Sequence, residues 1–243
     1  MKSLLTLKYI ISIWVFVLAF QVQAQDTLSV NESKSKFGLY NIRLGVDISR
    51  PIIQAVQKED VSTELTLDLE IYPNWFVALE AGNESEPGSE DYFTFHTQGN
   101  YTRIGFNYNT YKDWAGLNNE VYVGLRYGYS SFSQRLISYN PLDFNEYFGS
   151  ELQEPNTLYE DLGGHWGELV GGLKVEVLHN LYLTAGIQFK KLFKSKNPDG
   201  FANLYIPGFY RVYANKLGFG FNYTIAYKIP LKKKEKKEIL PDL

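Results

Sequence analysis

The sequence contains no cysteine, which excludes disulfide bonds and cysteine-ligated metal sites. Beyond its N-terminal segment it also lacks any run of the ~18 consecutive apolar residues that a transmembrane helix needs. It has only 3 histidines for acid–base or metal chemistry. Stability must therefore come from strand pairing and side-chain packing, with lipid as a further source.

Aromatic residues, in contrast, are abundant. They make up 16% of the 243 residues, with 19 Tyr and 16 Phe, which exceeds what a soluble core of this length needs. The formal net charge is −3, and removal of the N-terminal 24 residues, with two lysines and no acids, makes it −5. An acidic chain argues against nucleic acid as a partner.

Met1–Ala24 has the pattern of a secretory signal peptide. Lys2 and Lys8 precede a short apolar core, and Val22 and Ala24 are the small residues of a cleavage site. A membrane anchor is the alternative, but the apolar run is short. Residues 25–37 are polar and aperiodic, which predicts a flexible lead-in to a domain over residues 38–229. A lysine-rich tail over residues 230–243 follows.

Eight segments of that domain alternate between apolar and polar or small residues, a period of two that predicts β-strands. They are Leu39–Ser49, Val61–Ile71, Trp75–Gly82, Asn100–Tyr108, Glu120–Ser130, Gly167–Val177, Leu181–Lys190 and Leu217–Ile229. Most are close in length to the ~9–11 residues with which a tilted strand crosses a bilayer.

The links between these segments alternate in length. The first, third, fifth and seventh are long, namely Ser49–Asp60, Asn83–Gln98, Ser131–Trp166 and Lys191–Asn215. The others are short: Tyr72–Asn74, Asn109–Leu117 and Leu178–Asn180. In an up-and-down antiparallel barrel, alternate links fall at opposite ends, so long external loops and short periplasmic turns separate as in outer-membrane barrels. The first and last segments are predicted to pair and close the ring.

The polar face is predicted to line the lumen, because it combines long charged side chains with glycines that make room for them. Its charged residues are Arg43, Asp47, Glu64, Asp68, Glu70, Glu80, Glu120, Arg126, Glu168, Lys174 and Glu176. Aromatic residues lie near the ends of the apolar faces, where interfacial girdles belong. These are Tyr40, Trp75, Tyr108, Tyr127, Tyr129, Tyr223 and Tyr227. A soluble lipocalin-type barrel would instead turn its apolar face inward.

The last strand begins with a polar residue, a glycine and spaced hydrophobic residues, Lys216-Leu-Gly-Phe-Gly-Phe-Asn-Tyr223. This resembles the signal that the barrel-assembly machinery recognises, although that signal usually ends the chain. The segments FGLYNIRLGVDISRP, GLRYGYS and FNYTIAYKIP are similar to an uncharacterised domain-of-unknown-function family of small outer-membrane barrels from Bacteroidota. That resemblance implies a fold and a location, and no activity.

The histidines offer few candidates for catalysis. His179 falls in a predicted periplasmic turn, whereas His96 and His165 fall near the external rim on different loops. A rim histidine with a serine, for which Ser131 and Ser133 are candidates, would suit a lipid A acylhydrolase or acyltransferase. The interior carboxylates, interleaved with Arg and Lys, favour a structural ion-pair plug over a general acid–base pair.

Two further features have a plain reading and a functional one. Loop acids could hold Ca²⁺ through oxygen ligands, but they lack the spacing of a dedicated calcium loop, so solvated charge is favoured. They are Glu84, Glu86, Glu90 and Asp91, and Asp143, Glu146, Glu151, Glu154, Glu160 and Asp161. The run Lys232-Lys-Lys-Glu-Lys-Lys237 could contact anionic lipid or cell-wall polymer, or be a solvated tail.

Together these observations predict an all-β, eight-stranded antiparallel up-and-down transmembrane barrel in the bacterial outer membrane, with a plugged polar interior. The predicted role is structural or interactive, through the extracellular loops. A lipid-modifying enzyme and a soluble lipocalin-like carrier are the alternatives. The expected partners are outer-membrane lipid, the barrel-assembly machinery and an extracellular ligand; no cofactor, metal or catalytic residue is assigned.

Overall fold

The computed structural model describes residues 37–49, 51, 62–89, 93–112, 119–140, 152–198 and 202–231. The predicted signal peptide, almost all of the lead-in and the lysine run of the tail lie outside these residues. Within the described part, no helix is long and apolar enough to cross a membrane.

The described residues contain ten strands, and eight of them form one closed barrel. The strands are β1 Asn41–Asp47, β2 Thr63–Tyr72, β3 Trp75–Ser89, β4 Phe93–Lys112, β5 Glu120–Tyr139, β6 Thr157–Leu178, β7 Leu181–Lys196, β8 Tyr205–Ile206, β9 Tyr210–Arg211 and β10 Leu217–Pro230. The ring order is β1-β10-β7-β6-β5-β4-β3-β2, with all neighbours antiparallel, and β8 and β9 form a separate hairpin. The prediction of an eight-stranded antiparallel up-and-down barrel is confirmed.

The ring closes where the sequence predicted, between its first and last strands. Asn41 pairs with Pro230, and Asp47 pairs with Thr224. The tight turns at residues 73–74 and 179–180 lie at the same end as the start of β1 and the end of β10. Closure leaves no open sheet edge at this end, so its backbone groups are paired within the barrel.

The alternation of each strand divides its side chains between the lumen and the outer surface. In β4, for example, Tyr101, Arg103 and Asn107 are buried while Ile104 and Phe106 are more than half exposed. The same division runs round the barrel and leaves a continuous outer belt of exposed apolar side chains. The belt includes Leu44, Leu65, Trp75, Leu79, Ile104, Phe106, Tyr108, Val123, Leu125, Tyr127, Leu169, Leu173, Leu183, Ile187, Phe189, Phe219, Phe221, Tyr223 and Tyr227. The predicted orientation, apolar face outward, is the one observed.

Several strands are longer than predicted at the long-loop end. β3 continues through Asn83–Ser89, which the sequence suggested was loop, and β5 and β6 extend well into the predicted irregular segment Ser131–Gly164. β4 begins at Phe93, and β7 runs to Lys196. These extensions lie beyond the apolar belt, where neither face needs to be apolar. The alternating signal therefore fades although backbone pairing continues.

The segment Lys191–Asn215, which was predicted to be a loop, differs most from its prediction. Beyond β7 it contains the β8–β9 hairpin, in which Ile206 pairs with Tyr210. Tyr205, Ile206 and Phe209 are buried, so this segment folds back on the barrel and not away from it.

Candidate functional site

Arg43 of β1 is the centre of a charged cluster at the short-turn end of the lumen. Its Nη2 donates to both Oε atoms of Glu120, at 3.0 and 3.1 Å, and its Nη1 lies 3.6 Å from Oδ2 of Asp68. Lys174 donates to the same carboxylate of Asp68. The Arg43 guanidinium also lies 4.4 Å from the ring centroid of Tyr182. Each ion thus has an opposite charge nearby, as burial of charge requires.

Arg103 of β4 occupies the middle of the lumen and pairs with carboxylates from three other strands. Its Nε lies 2.8 Å from Oε2 of Glu80, and its Nη1 lies 3.5 Å from Oε1 of Glu168. Its Nη2 donates to Glu64. Arg126 adds a second cation, with its Nε 3.1 Å from Oε1 of Glu80. One guanidinium therefore connects β4 to β2, β3 and β6 across the lumen.

Glycines on the inner face provide the room that these side chains need. A Cβ added at Gly128 would lie 2.2–2.6 Å from ring atoms of Trp166, which is fully buried and donates its Nε1–H to Glu168 at 2.6 Å. Gly128 of β5 thus allows the Trp166 indole of β6 to lie directly over the neighbouring strand, as the mixture of glycines and long side chains predicted.

The β8–β9 hairpin fills the lumen above this network. Ile206 and Phe209 are fully buried in a cluster with Tyr101, Phe132 and Trp166 of the barrel wall. Phe209 meets Trp166 edge-to-face, with ring centroids 6.0 Å apart. Leu162 and Leu192 complete the cluster. The hairpin therefore adds an apolar cluster to a barrel interior that also holds the buried ion pairs.

Polar contacts at Gly208 hold the tip of the hairpin. Glu84 of β3 accepts hydrogen bonds from the Gly208 N–H at 3.0 Å and from the Tyr205 hydroxyl at 2.9 Å. Lys190 of β7 donates to the Gly208 carbonyl at 2.6 Å, and its Nζ lies 3.7 Å from the Tyr210 ring centroid. Gly208 has φ +79°, and a Cβ there would lie 2.6 Å from the Tyr101 ring. Only glycine suits that conformation and approach.

Among the described residues, the network and the hairpin place both charged and apolar side chains inside the lumen. A cavity of about 30 Å³ remains among Arg43, Asp68, Arg126 and Lys174, which is roughly the volume of one water molecule. The predicted ion pairs are present in the interior, and the hairpin adds an apolar layer beside them. That they plug the lumen stays a prediction.

The hydrogen bonds of His96 and His165 go to partners other than the predicted serines. His96 and His165 lie on β4 and β6, not on loops as expected. His96 Nε2 is 2.9 Å from Oγ of Ser85, and His165 Nδ1 is 2.8 Å from the hydroxyl of Tyr127. The predicted partner Ser133 lies on the neighbouring strand and lines a small cavity of about 170 Å³ with His96.

Ser131 pairs with Asn100 and Gly163 in the strand ladder, and it therefore lies away from His96. His179 is in the tight turn after β6, as predicted. The sequence suggested a bond from His96 or His165 to Ser131 or Ser133. The serine that His96 contacts is instead Ser85, and His165 contacts Tyr127.

The predicted loop acids do not all lie in solvated loops. Glu84 is buried and belongs to the hairpin anchor, so it is not a solvated loop residue. Among the residues that the structure describes, no group of three or more His, Asp or Glu side chains is placed to hold a metal ion. Glu90, Asp91, Asp143, Glu146 and Glu151 lie outside those residues.

Sequence reasoning missed the hairpin and its anchors. A signal was present in the seventh link, where Leu204-Tyr-Ile-Pro-Gly-Phe-Tyr210 is apolar and contains a Pro-Gly turn pair. Such a run in a solvated external loop would expose several aromatic side chains, which favours burial.

The chain belongs to a family described as a domain of unknown function, DUF6048, whose sequence profile matches residues 6–234. No curated protein matches it significantly. The chain is similar to the N-terminal β-barrel domain of Pseudomonas aeruginosa OprF, with 10% identity and a TM-score of 0.41, covering 79% of this chain and 99% of that one. It is also similar to Ail, the attachment invasion locus protein of Yersinia pestis (9% identity, TM-score 0.39, 79% and 100% covered). A major outer membrane protein from Thermus thermophilus is a third such structure (13% identity, TM-score 0.40, 79% and 98% covered).

Proposed function

We propose that the protein is a bacterial outer-membrane barrel that does not conduct solutes and that acts structurally or by binding through its external loops. The observation that carries this proposal is the combination of an outward apolar belt with a charged, plugged lumen. An apolar belt of this extent would be unstable in water, because exposed apolar patches of such size mark membrane or partner contacts. A lipocalin-like carrier needs the opposite orientation of the two faces.

The proposed orientation places both ends of the barrel chain in the periplasm. The start of β1 and the end of β10 lie at the rim that carries the short turns, and outer-membrane barrels place short turns on the periplasmic side. A signal peptide would deliver the chain to that compartment. The assembly machinery would then recognise the start of β10, and outer-membrane lipid would surround the belt. The Bacteroidota origin stays a prediction.

Fractionation and gel mobility test the membrane assignment. We expect the protein in outer-membrane fractions, resistant to extraction by urea, with a band that shifts only after boiling because the closed barrel resists detergent at room temperature. A protein recovered from the soluble periplasm, with no heat-dependent shift, would overturn the proposal.

Electrical recording in planar bilayers tests the closed lumen. We expect no stable conductance from the full-length barrel, because the Arg103 network and the Phe209 hairpin fill the lumen. Steady channels of uniform size in the unmodified protein would contradict this part of the proposal.

A lipid-modifying enzyme is the second candidate, and one contact favours it. Ser85 and His96 are within hydrogen-bond reach on the outer surface of the extended β3–β4 pair, which is the minimal arrangement for an activated hydroxyl. Lipid A from cells that carry the Ser85→Ala or His96→Ala variant tests this candidate.

A further inference from the structure

Among the described residues, which omit 50 and 52–61 of the β1–β2 link, two strand edges beside the hairpin have no neighbouring strand. The last strand pair between β1 and β10 is Asp47 with Thr224, whereas β10 continues to Leu217. On the other side, β2 begins at Thr63 opposite Asn83, whereas β3 continues to Ser89. Tyr223 of β10 still accepts a backbone hydrogen bond from Ile48 at 2.7 Å. Among the described residues, Leu217–Asn222 of β10 and Glu84–Ser89 of β3 pair only with β7 and β4. The two strand ends therefore face each other across a gap that β1 and β2 do not fill.

A cavity of about 900 Å³ lies in this gap. β3 and β4 form one side through Gly88, Phe93 and Phe95, β10 forms the other through Phe219 and Phe221, and the hairpin with Phe209 forms the floor. The volume is within the range of ~300–1,000 Å³ typical of small-molecule sites. Eight of the described lining residues are aromatic, as in such sites, and Glu86 and Arg211 are charged.

The cavity is continuous with the outer apolar belt. Phe219 and Phe221 are 58% and 51% exposed on the outer face of β10, and both also line the cavity. Gly218 and Gly220, beside and between them, lie against the hairpin and also line the cavity: a Cβ added at Gly218 would be 3.2 Å from the Phe209 ring, and one at Gly220 would be 2.9 Å from the Tyr210 ring. An apolar chain on the belt reaches the cavity without crossing a polar barrier at these positions.

We propose that this cavity, hereafter the wall cavity, binds one acyl chain of a membrane phospholipid. The proposal rests on the proposed membrane location, since the bilayer supplies the lipid. An acyl chain suits the site because the wall cavity is lined mainly by apolar groups, with Glu86 and Arg211 as its charged lining residues, and is joined to the outward-facing Phe219 and Phe221. Binding there covers apolar surface of the half-exposed Phe219 and Phe221, whereas Phe209 beneath them is already fully buried.

Photolabelling of the purified full barrel in dodecyl maltoside tests the proposal. The probe is a phosphatidylethanolamine that carries a diazirine on one acyl chain, titrated at increasing mole ratio and mapped by peptide mass spectrometry. We expect labelling of peptides 204–214 and 218–221 to saturate near one lipid per barrel. Labelling of Ile104–Tyr108 in the belt should instead rise in proportion to lipid, because these residues do not line the wall cavity.

Two variants fill the wall cavity from opposite sides. Ala214 and Ser89 both line it and are exposed, so Ala214→Trp and Ser89→Trp add an indole without displacing buried groups. Ala185→Trp, on the outer face of β7 and away from the wall cavity, is the matched control. We expect the first two variants to lose at least tenfold of the saturable labelling and the control to keep it.

Three outcomes would overturn the proposal. They are labelling that never saturates, labelling that both cavity variants retain, and saturable labelling by a diazirine-bearing palmitic acid with none by the phospholipid. The last would identify a free fatty acid as the ligand. The heat-dependent gel shift is recorded for every variant, so an unfolded barrel is recognised. Vesicle flotation of the same protein reports on the membrane location separately, so failure of the lipid site and failure of the proposed function are distinguishable.

Discussion

Replacement of Arg103 by methionine tests whether the lumen network determines stability. Arg103 is 1% exposed and is the shared cation of Glu64, Glu80 and Glu168. Methionine keeps much of the side-chain volume and removes the charge, which leaves three carboxylates without it. Arg126 still contacts Glu80, and Lys190 Nζ lies 3.7 Å from Oε1 of Glu168, so Glu64 loses most. Removal of one partner from a buried ion pair costs about 3–5 kcal/mol.

The measurement is the free energy of unfolding in urea, with the barrel folded in phospholipid vesicles and followed by tryptophan fluorescence and gel shift. With a slope of about 1–3 kcal/mol per molar urea, a loss of 3–5 kcal/mol lowers the unfolding midpoint by at least about 1 M. The double variant R103M/E64Q should recover part of this loss, because it removes one of the unpaired carboxylates.

Arg135→Met is the control, because Arg135 lies on an external strand extension and donates to Asn156 at 3.3 Å in an exposed contact. Exposed pairs contribute about 0–1 kcal/mol, so little change is expected. If Arg103→Met and Arg135→Met had equal effects, the lumen ion pairs would contribute no more than surface contacts. The reasoning about a structural plug would then be wrong.

Three further predictions concern packing, the hairpin and the second candidate function. Gly128→Val should destabilise the barrel by about 1–3 kcal/mol through overlap with a buried indole, whereas Gly171→Ala, whose Cβ would meet its nearest atom at 3.6 Å, should change the urea midpoint little. Glu84→Ala removes a charged acceptor of two hairpin hydrogen bonds, each worth about 1.5–3 kcal/mol. Because the loss totals about 3–6 kcal/mol, limited trypsin digestion should cut the hairpin at least about a hundredfold faster, and an unchanged rate would refute the anchor. Ser85→Ala and His96→Ala should leave lipid A acylation unchanged in mass spectra, and loss of a modified species in both would favour the enzyme.

Much of the barrel was predictable because its main signal is local. An apolar outer surface and a narrow polar lumen impose a period of two on every barrel strand, so Leu217–Ile229 reveals its two faces without reference to any partner. The same reasoning identified the inward charges, such as Arg43 and Lys174. Alternation of long and short links then fixed the ring order and the pairing of the first strand with the last.

The candidate site was only partly predictable, because its contacts join residues far apart in the chain. Glu84 bonds to Gly208, and Arg103 to Glu168, only because ring closure brings β3, β4, β6 and the hairpin together. The strand extensions escaped prediction because β3 beyond Gly82 lies outside the belt, where neither face is constrained. The pairing of His96 with Ser85 depends on register, which composition does not reveal.

The sequence by itself thus determined the number of barrel strands, the direction of each face and most of the charges enclosed. These follow from the solvent on each side of a strand, which acts on one residue at a time. The tertiary structure alone decided that Ile206 and Phe209 enter the lumen, that β1 ends at Asp47 while β10 continues, and that a cavity opens between β10 and β3. These features depend on strand lengths and register around a closed ring, which no single segment encodes.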